Sequence, residues 1–208
     1  MEWERLFRHA VELIDSVTAA GTMIENWSFG GGTVLMRRHH HRLSKDIDIF
    51  LEDPQYLGYL TPRLNSNAEA LTQHFDEQRT FLKLYLPEGE IDFIVAGPLT
   101  PEPIEVELIL GRDVLVETST EIIAKKIWYR GAEFTARDIF DLAMVAEMEP
   151  AALPSIRPVL RDRKVAILQR ISTHEETLRE TFAALEALEY QRSYDDAVAI
   201  VKTALGDG

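Results

Sequence analysis

The 208-residue chain has no cysteine, which removes disulfides, zinc–thiolate sites, iron–sulfur clusters and thiol nucleophiles. It also lacks any apolar run near the ~18–20 residues that a bilayer-spanning helix needs. Its opening, MEWERLFRHA, sets charges where a signal peptide would carry an apolar core. The expectation is a chain that works in the cytoplasm, away from membranes. Gly and Pro number only 11 and 9 and form no repeat, so a fibrous protein is excluded. Positive charge is scarce: 22 Lys and Arg stand against 35 Asp and Glu, a net charge of −13. Such a surface does not suit a long duplex, because phosphate contacts need clustered cations.

What is present is ordinary for a folded protein, with 46% hydrophobic and 27% charged residues. The basic residues are unevenly spread. Arg37 to Lys45 (RRHHHRLSK) carries four cations and three histidines without an acid, and Arg157 to Arg170 carries five cations against one acid. Local basic patches on an acidic body suit a compact polyanion such as a nucleotide, or one end of an RNA. Consecutive histidines His39 to His41 on a loop point in different directions, so they read as a solvated patch rather than a metal site.

Apolar residues at helical spacing from Trp3 to Ile14 predict an amphipathic first helix, ended near Gly21. A helix starting at Thr33 and another from Pro62 to Gln78 are expected. KDIDIFLED alternates with period two and reads as a strand, and FLKLYL, EIDFIVA, IEVELIL and RDVLVET are further short β runs. After Thr118 the pattern becomes helical. Thr118 with Glu121, and Thr135 with Asp138, have capping-box spacing. Met144 and Met148 read as core residues, and Trp128 and Tyr129 as packing. The expected class is α+β: a mixed-sheet core flanked by helices over residues 1–118, then a helical bundle over residues 119–208 packed against it.

The residues that carry chemistry lie in FGGGTVLMRRHHHRLSKDIDIF. Gly30, Gly31 and Gly32 allow a turn that side chains would block, and the amides there and at a helix start can cradle phosphates. Thirteen residues separate Gly32 from Asp46, and Asp46 and Asp48 share one face of a strand and repel each other, a cost that a divalent cation relieves. Asp92 stands in another apolar strand, an expensive place for an unpaired charge. If the two strands adjoin, three acids converge and can hold two Mg²⁺ ions, with Mn²⁺ as a substitute, and support in-line nucleotidyl transfer. In that scheme Asp92 deprotonates or positions the attacking hydroxyl. Lys126 and Arg130 share a helical face four residues apart, as do Arg137 and Asp141, and such cations can neutralise triphosphate charge.

The run GGGTVLMRRHHHRLSKDIDIF resembles the glycine motif and Asp-x-Asp strand of the polymerase-β-like nucleotidyltransferases. With EIIAKKIWYRGAEFTARDIFDLA downstream, residues 25 to 145 resemble the AbiEii/AbiGii family of nucleotidyltransferase toxins from toxin–antitoxin and abortive-infection systems. The resemblance implies an enzyme that moves a nucleoside monophosphate from an NTP to a hydroxyl, on RNA such as a tRNA 3′ end or on another target, with a separately encoded antitoxin as partner. It implies Asp46, Asp48 and Asp92 as metal ligands, and Lys126 and Asp141 as further catalytic residues. Gly31, Gly32, Thr33, Ser44, Lys125, Lys126, Arg130, Arg137 and Asp138 are implied in nucleotide binding. The usual Gly-Ser is Gly32-Thr33 here, which keeps the hydroxyl. Aminoglycoside nucleotidyltransferases share the same glycine and Asp-x-Asp pattern, so a small-molecule acceptor is a second reading, and a non-catalytic nucleotide-binding module is a third.

Overall fold

A computed structural model describes residues 2–206. The chain folds as two compact units: Met1–Val34, Ser44–Gly97 and Ile104–Glu117 form the first, and Leu35–Leu43, Pro98–Pro103 and Thr118–Gly208 the second.

The first unit is built on a seven-stranded mixed sheet. Its strands are β1 (Ser28–Gly30), β2 (Ile47–Leu51), β3 (Phe75–Glu77), β4 (Phe81–Leu86), β5 (Gly89–Val95), β6 (Ile104–Ile109) and β7 (Arg112–Glu117), in the order β3-β4-β5-β2-β1-β7-β6. β2 runs parallel to β5 and β1 parallel to β7, while the other neighbours are antiparallel. The period of two sorts the side chains between faces. Ile47, Ile49 and Leu51 of β2, Ile91 and Phe93 of β5, and Leu82 and Leu84 of β4 are fully buried on one face. Helix α1 (Glu2–Ala19) contributes Leu6, Phe7, Ala10, Leu13, Ile14 and Val17 to the same core, with the Phe7 ring 4.9 Å from Phe29. Fully burying a Leu or Phe is worth roughly 1.5–3 kcal/mol, so this face holds the unit together. The opposite face is left for polar residues.

A short helix α3 (Gln55–Leu60) precedes the region expected as one helix from Pro62 to Gln78, which is instead one short helix, α4 (Ser66–Leu71), and the strand β3. Asn65 accepts from the amides of Asn67 and Ala68 and starts α4 there, while Phe75–Glu77 finds a ladder partner in β4. The helix expected at Thr33 begins two residues earlier, as α2 (Gly31–His39).

The second unit is helical: α5 (Ser119–Arg130), α6 (Ala136–Met148), α7 (Leu153–Thr173), α8 (Glu175–Ala183) and α9 (Tyr194–Ala204). Its core includes Ile123, Ile127, Ile139, Leu142, Met144, Ile167 and Val201, and an aromatic group around Phe140. Phe182, Tyr190 and His41 lie 5.5, 5.2 and 5.9 Å from the Phe140 ring. Met144 is buried, but Met148 is 52% exposed at the end of α6 and does not join the core. Tyr129 is exposed, while the Arg163 guanidinium covers Trp128 at 4.3 Å. Thr135 and Asp138 form a complete capping box at the start of α6. At α5 only half the motif forms. Thr118 accepts from the Glu121 amide, but the Glu121 carboxylate is spent on the amides of Leu99 and Thr100 and the Thr100 hydroxyl.

Candidate active site

Register makes the acidic centre of the first unit. Ile47 pairs with Ile91 across the β2–β5 ladder, so Asp48 falls directly beside Asp92, with strands about 4.8 Å apart. Both carboxylates lie on the polar face of the sheet. The Asp92 pKa is raised from 3.8 to about 7: burial and the neighbouring charge of Asp48 push it up, and the hydrogen bond from Lys83 holds it back in part. Lys83 Nζ donates to Asp92 Oδ2 at 2.8 Å and is also paired with Glu90. The other oxygen, Asp92 Oδ1, is buried and has no hydrogen-bond partner. A buried, unpartnered carboxylate oxygen beside a second carboxylate is a site whose cost a hard divalent cation removes, and the residues fit Mg²⁺ or Mn²⁺ in that sense.

Asp46 lies just before β2, and its Oδ1 accepts from the Glu90 amide at 3.1 Å. As they stand, the three expected acids are therefore an adjoining pair, Asp48 and Asp92, with Asp46 engaged one step along the ladder. Among the described residues no group of three or more His, Asp or Glu side chains is gathered to hold a metal.

The glycine turn presses against these acids. Gly31, with φ +74°, opens α2, and a Cβ there would stand 1.8 Å from Asp48 Oδ2. Only glycine permits both that backbone and that approach. Thr33 is fully buried. Its hydroxyl donates to the main-chain oxygen of Asp46 at 2.6 Å and lies 3.0 Å from the Ser44 hydroxyl, so the glycine turn and the Asp-x-Asp strand are tied by one side chain. Gly32 follows in the first turn of α2. Three residues of this face escaped the sequence reading: Lys83, Glu90 and the buried Glu117, whose Oε2 would meet a Cβ on Gly30 at 2.3 Å. Glu90 was legible, since it stands two residues before Asp92 and so shares its face. Lys83 and Glu117 gave no such signal.

The remaining expected residues lie in the second unit. Lys126 reaches Asp138 at 3.0 Å and Asp141 at 3.3 Å. Arg130 adds two contacts of 3.2 Å to Asp138, and Thr135 donates to the same carboxylate through its amide and hydroxyl. Lys125 is engaged elsewhere, 3.6 Å from Glu121. Arg137 is exposed on the first turn of α6 and does not meet Asp141.

Asp141 is completely enclosed. Arg42 grips it with Nε at 2.7 Å and a terminal nitrogen at 2.8 Å, and His41 Nε2 lies 2.8 Å away. Burial raises the Asp141 pKa, but the charges of Arg42 and Lys126 and the hydrogen bonds from His41 and Arg42 outweigh it and hold the group well below the usual carboxylate range. Burial in turn lowers the His41 pKa, against the pull of Asp141. The neutral ring donates from Nε2 to the ionised carboxylate and leaves Nδ1 bare, in keeping with that buried atom having no hydrogen-bond partner. This overturns the reading of His39 to His41 as a solvated patch. His41 is 0% exposed and Arg42 is buried, while His39 pairs with Glu149 at 2.6 Å. The run looked solvated because the carboxylate that draws it inward lies a hundred residues away.

A mixed sheet carrying an Asp-x-Asp strand behind a glycine turn, followed by helices, is the architecture of a nucleotidyltransferase, and that is the class of this enzyme. The chain matches the profile of the Nucleotidyl transferase AbiEii toxin, Type IV TA system, over residues 17–203, and it belongs to that family. No curated protein matches it. Among solved structures it is similar to MenT4, a nucleotidyltransferase toxin from Mycobacterium tuberculosis, with 16% identity, coverage of 99% of this chain and 82% of that one, and a TM-score of 0.55. It is also similar to JHP933 from Helicobacter pylori, again at 16% identity, covering 98% and 88% of the two chains with a TM-score of 0.54. At such identities the likeness is one of fold. Among the described residues no helix is long and apolar enough to cross a membrane.

Proposed function

We propose that this nucleotidyltransferase moves a nucleoside monophosphate from an NTP to a hydroxyl of an RNA, a tRNA 3′ end being one such acceptor, and acts in the cytoplasm as the toxin of a toxin–antitoxin pair. The observation that carries the reading is the in-register pair of Asp48 and Asp92, with one buried Asp92 oxygen unpartnered and the Gly31 backbone against Asp48. Asp48 and Asp92, joined by Asp46, are the residues that would hold Mg²⁺. When bound, the ion supplies charge neutralisation for the triphosphate and Lewis acidity at the transferred phosphorus.

The chain's own residues do the rest. The amides of Gly31 and Gly32, at the positive end of α2, receive phosphate oxygens, and Thr33 holds that turn in place through Asp46. Asp92 positions the attacking hydroxyl and accepts its proton at Oδ1, while Lys83 keeps Oδ2 fixed. Lys126 and Arg130 are proposed as the cations for the nucleotide phosphates, and Asp138 and Asp141 as the carboxylates that position them. Membership of a Type IV toxin–antitoxin family supports a separately encoded antitoxin.

The test is incubation of the purified protein with each α-³²P-NTP, Mg²⁺ and total bacterial RNA, beside Asp48→Ala. Label on an RNA band that disappears with the variant is expected. Label only on a small aminoglycoside-like acceptor, or label that survives Asp48→Ala, would sink the RNA reading or the site respectively.

A further inference from the structure

The second unit carries a groove of about 480 Å³ that shares Arg130 with the cations proposed for the nucleotide and whose other residues have no role so far. Four helices build it. Arg130 closes α5, Arg137 lies on the first turn of α6, Arg170 on the last turn of α7, and Thr177 and Thr181 on α8. No Asp or Glu is among its lining residues, in a protein whose net charge is −13. Arg137 and Arg170 on a wall with no acid among its lining residues, beside an Arg130 whose charge is shared with Asp138, are therefore not a sample of the average surface.

Two of the three have defined settings. Arg130 is anchored by Asp138, and Arg170 donates Nε to the Phe134 carbonyl at 3.3 Å. A guanidinium has five N–H donors, and among the described residues Arg170 has no other partner for the remaining four. The floor is small and uncharged, with Ala136, Leu178 and Ala184. No aromatic ring lines it, so nothing offers a base a stacking surface.

We infer that this groove binds the phosphodiester backbone of single-stranded RNA. The chemistry required is a phosphate that arrives without a metal ion. A triphosphate brings a divalent cation, and around Arg137 and Arg170 the groove's lining offers no carboxylate to share it, whereas a backbone phosphate needs only the cations. With no stacking platform, binding is independent of base sequence. The inference rests on an RNA acceptor, but its test does not depend on turnover.

A 5′-fluorescein single-stranded RNA of mixed sequence is titrated with the full-length protein by anisotropy across a range of NaCl concentrations. Wild type is compared with Arg170→Gln, Arg137→Gln and the double variant. Each lost contact should lower the slope of log K against log salt by about 0.7, so the double variant should lose about 1.4, with affinity down roughly 10-fold or more at moderate salt. Arg170 also supports the Phe134 carbonyl. If its substitution disturbs the far-UV circular dichroism, the exposed Arg137→Glu carries the test and should weaken RNA binding at least as far. Asp48→Ala, with the groove intact, should bind RNA as wild type does, which separates failure of this site from failure of the transfer reading. Absence of RNA binding by wild type overturns the inference. So does an unchanged salt slope in the double variant, and so does loss of fluorescent NTP-analogue binding by that variant while RNA affinity stays the same.

Discussion

Replacing Asp141 tests whether the second unit is organised around one buried carboxylate. Its two oxygens hold Arg42 at 2.7 and 2.8 Å, His41 at 2.8 Å and Lys126 at 3.3 Å, and neither Asp141 nor His41 is exposed at all. Hydrogen bonds to charged groups contribute about 1.5–3 kcal/mol each, and removing one partner of a buried pair costs about 3–5 kcal/mol because the other charge is left uncompensated. Lys126 retains Asp138, so the loss falls mainly on Arg42, and Asp141→Ala should cost about 3–5 kcal/mol. For a chain of this size that lowers Tm by about 6–20 °C. Asp141→Asn keeps the shape but not the charge and should fall near the lower end. The sign with pH follows from the depressed carboxyl pKa. The stabilisation is present above the ordinary unfolded value of 3.8 and is lost only as pH falls through the lower folded value. Urea unfolding followed by circular dichroism at pH 7.5 measures the effect, and a double-mutant cycle with Arg42→Met should give a coupling of several kcal/mol. An Asp141→Ala protein within 1 kcal/mol of wild type, inactive but fully stable, would refute this reasoning and return Asp141 to a purely chemical role.

Gly31→Ala places a methyl 1.8 Å from Asp48 Oδ2 at a φ of +74°, so nucleotidyl transfer should fall at least 100-fold, read as label on acceptor, even where the protein still folds. In a metal chelator, Asp92 has a folded pKa of about 7 against 3.8 unfolded, so its ionisation opposes folding and stability should decline by about 2–4 kcal/mol as pH rises from 4 to 7. Asp92→Asn should lack that decline in urea melts, and parallel curves for the two proteins would contradict the assignment. Glu121 is buried and accepts from the Leu99 amide, the Thr100 amide and the Thr100 hydroxyl. Glu121→Ala should cost about 2–4 kcal/mol and speed amide hydrogen exchange at Leu99 and Thr100, and unchanged exchange there would show that the segment is held by other means.

Much of the fold could be read from local pattern. Strands β2, β4, β5, β6 and β7 follow their period-two runs, α1 follows its apolar spacing, and Thr135 with Asp138 closes as a capping box. Asp48 and Asp92 could be assigned to strands, but their adjacency depends on the β2–β5 register, which no single strand encodes. What local pattern missed is what distance supplies. His41 and Arg42 look solvated until Asp141 is brought to them, and Glu121 looks like half a cap until Leu99 and Thr100 claim it. The break between α4 and β3 was hidden for a related reason: a polar, mixed stretch fits a helix until β4 offers it a ladder.

The interleaving of the two units has a consequence for the order of synthesis. His41 and Arg42 leave the ribosome a hundred or so residues ahead of the carboxylate they will enclose. At about 5–20 residues per second that is an interval of roughly 5–20 s. During it the pair lacks the carboxylate that grips it in the folded unit. A nascent chain stopped before residue 141 therefore carries two groups of the second unit's interior without their shared carboxylate, and that unit can close only once α6 has been translated.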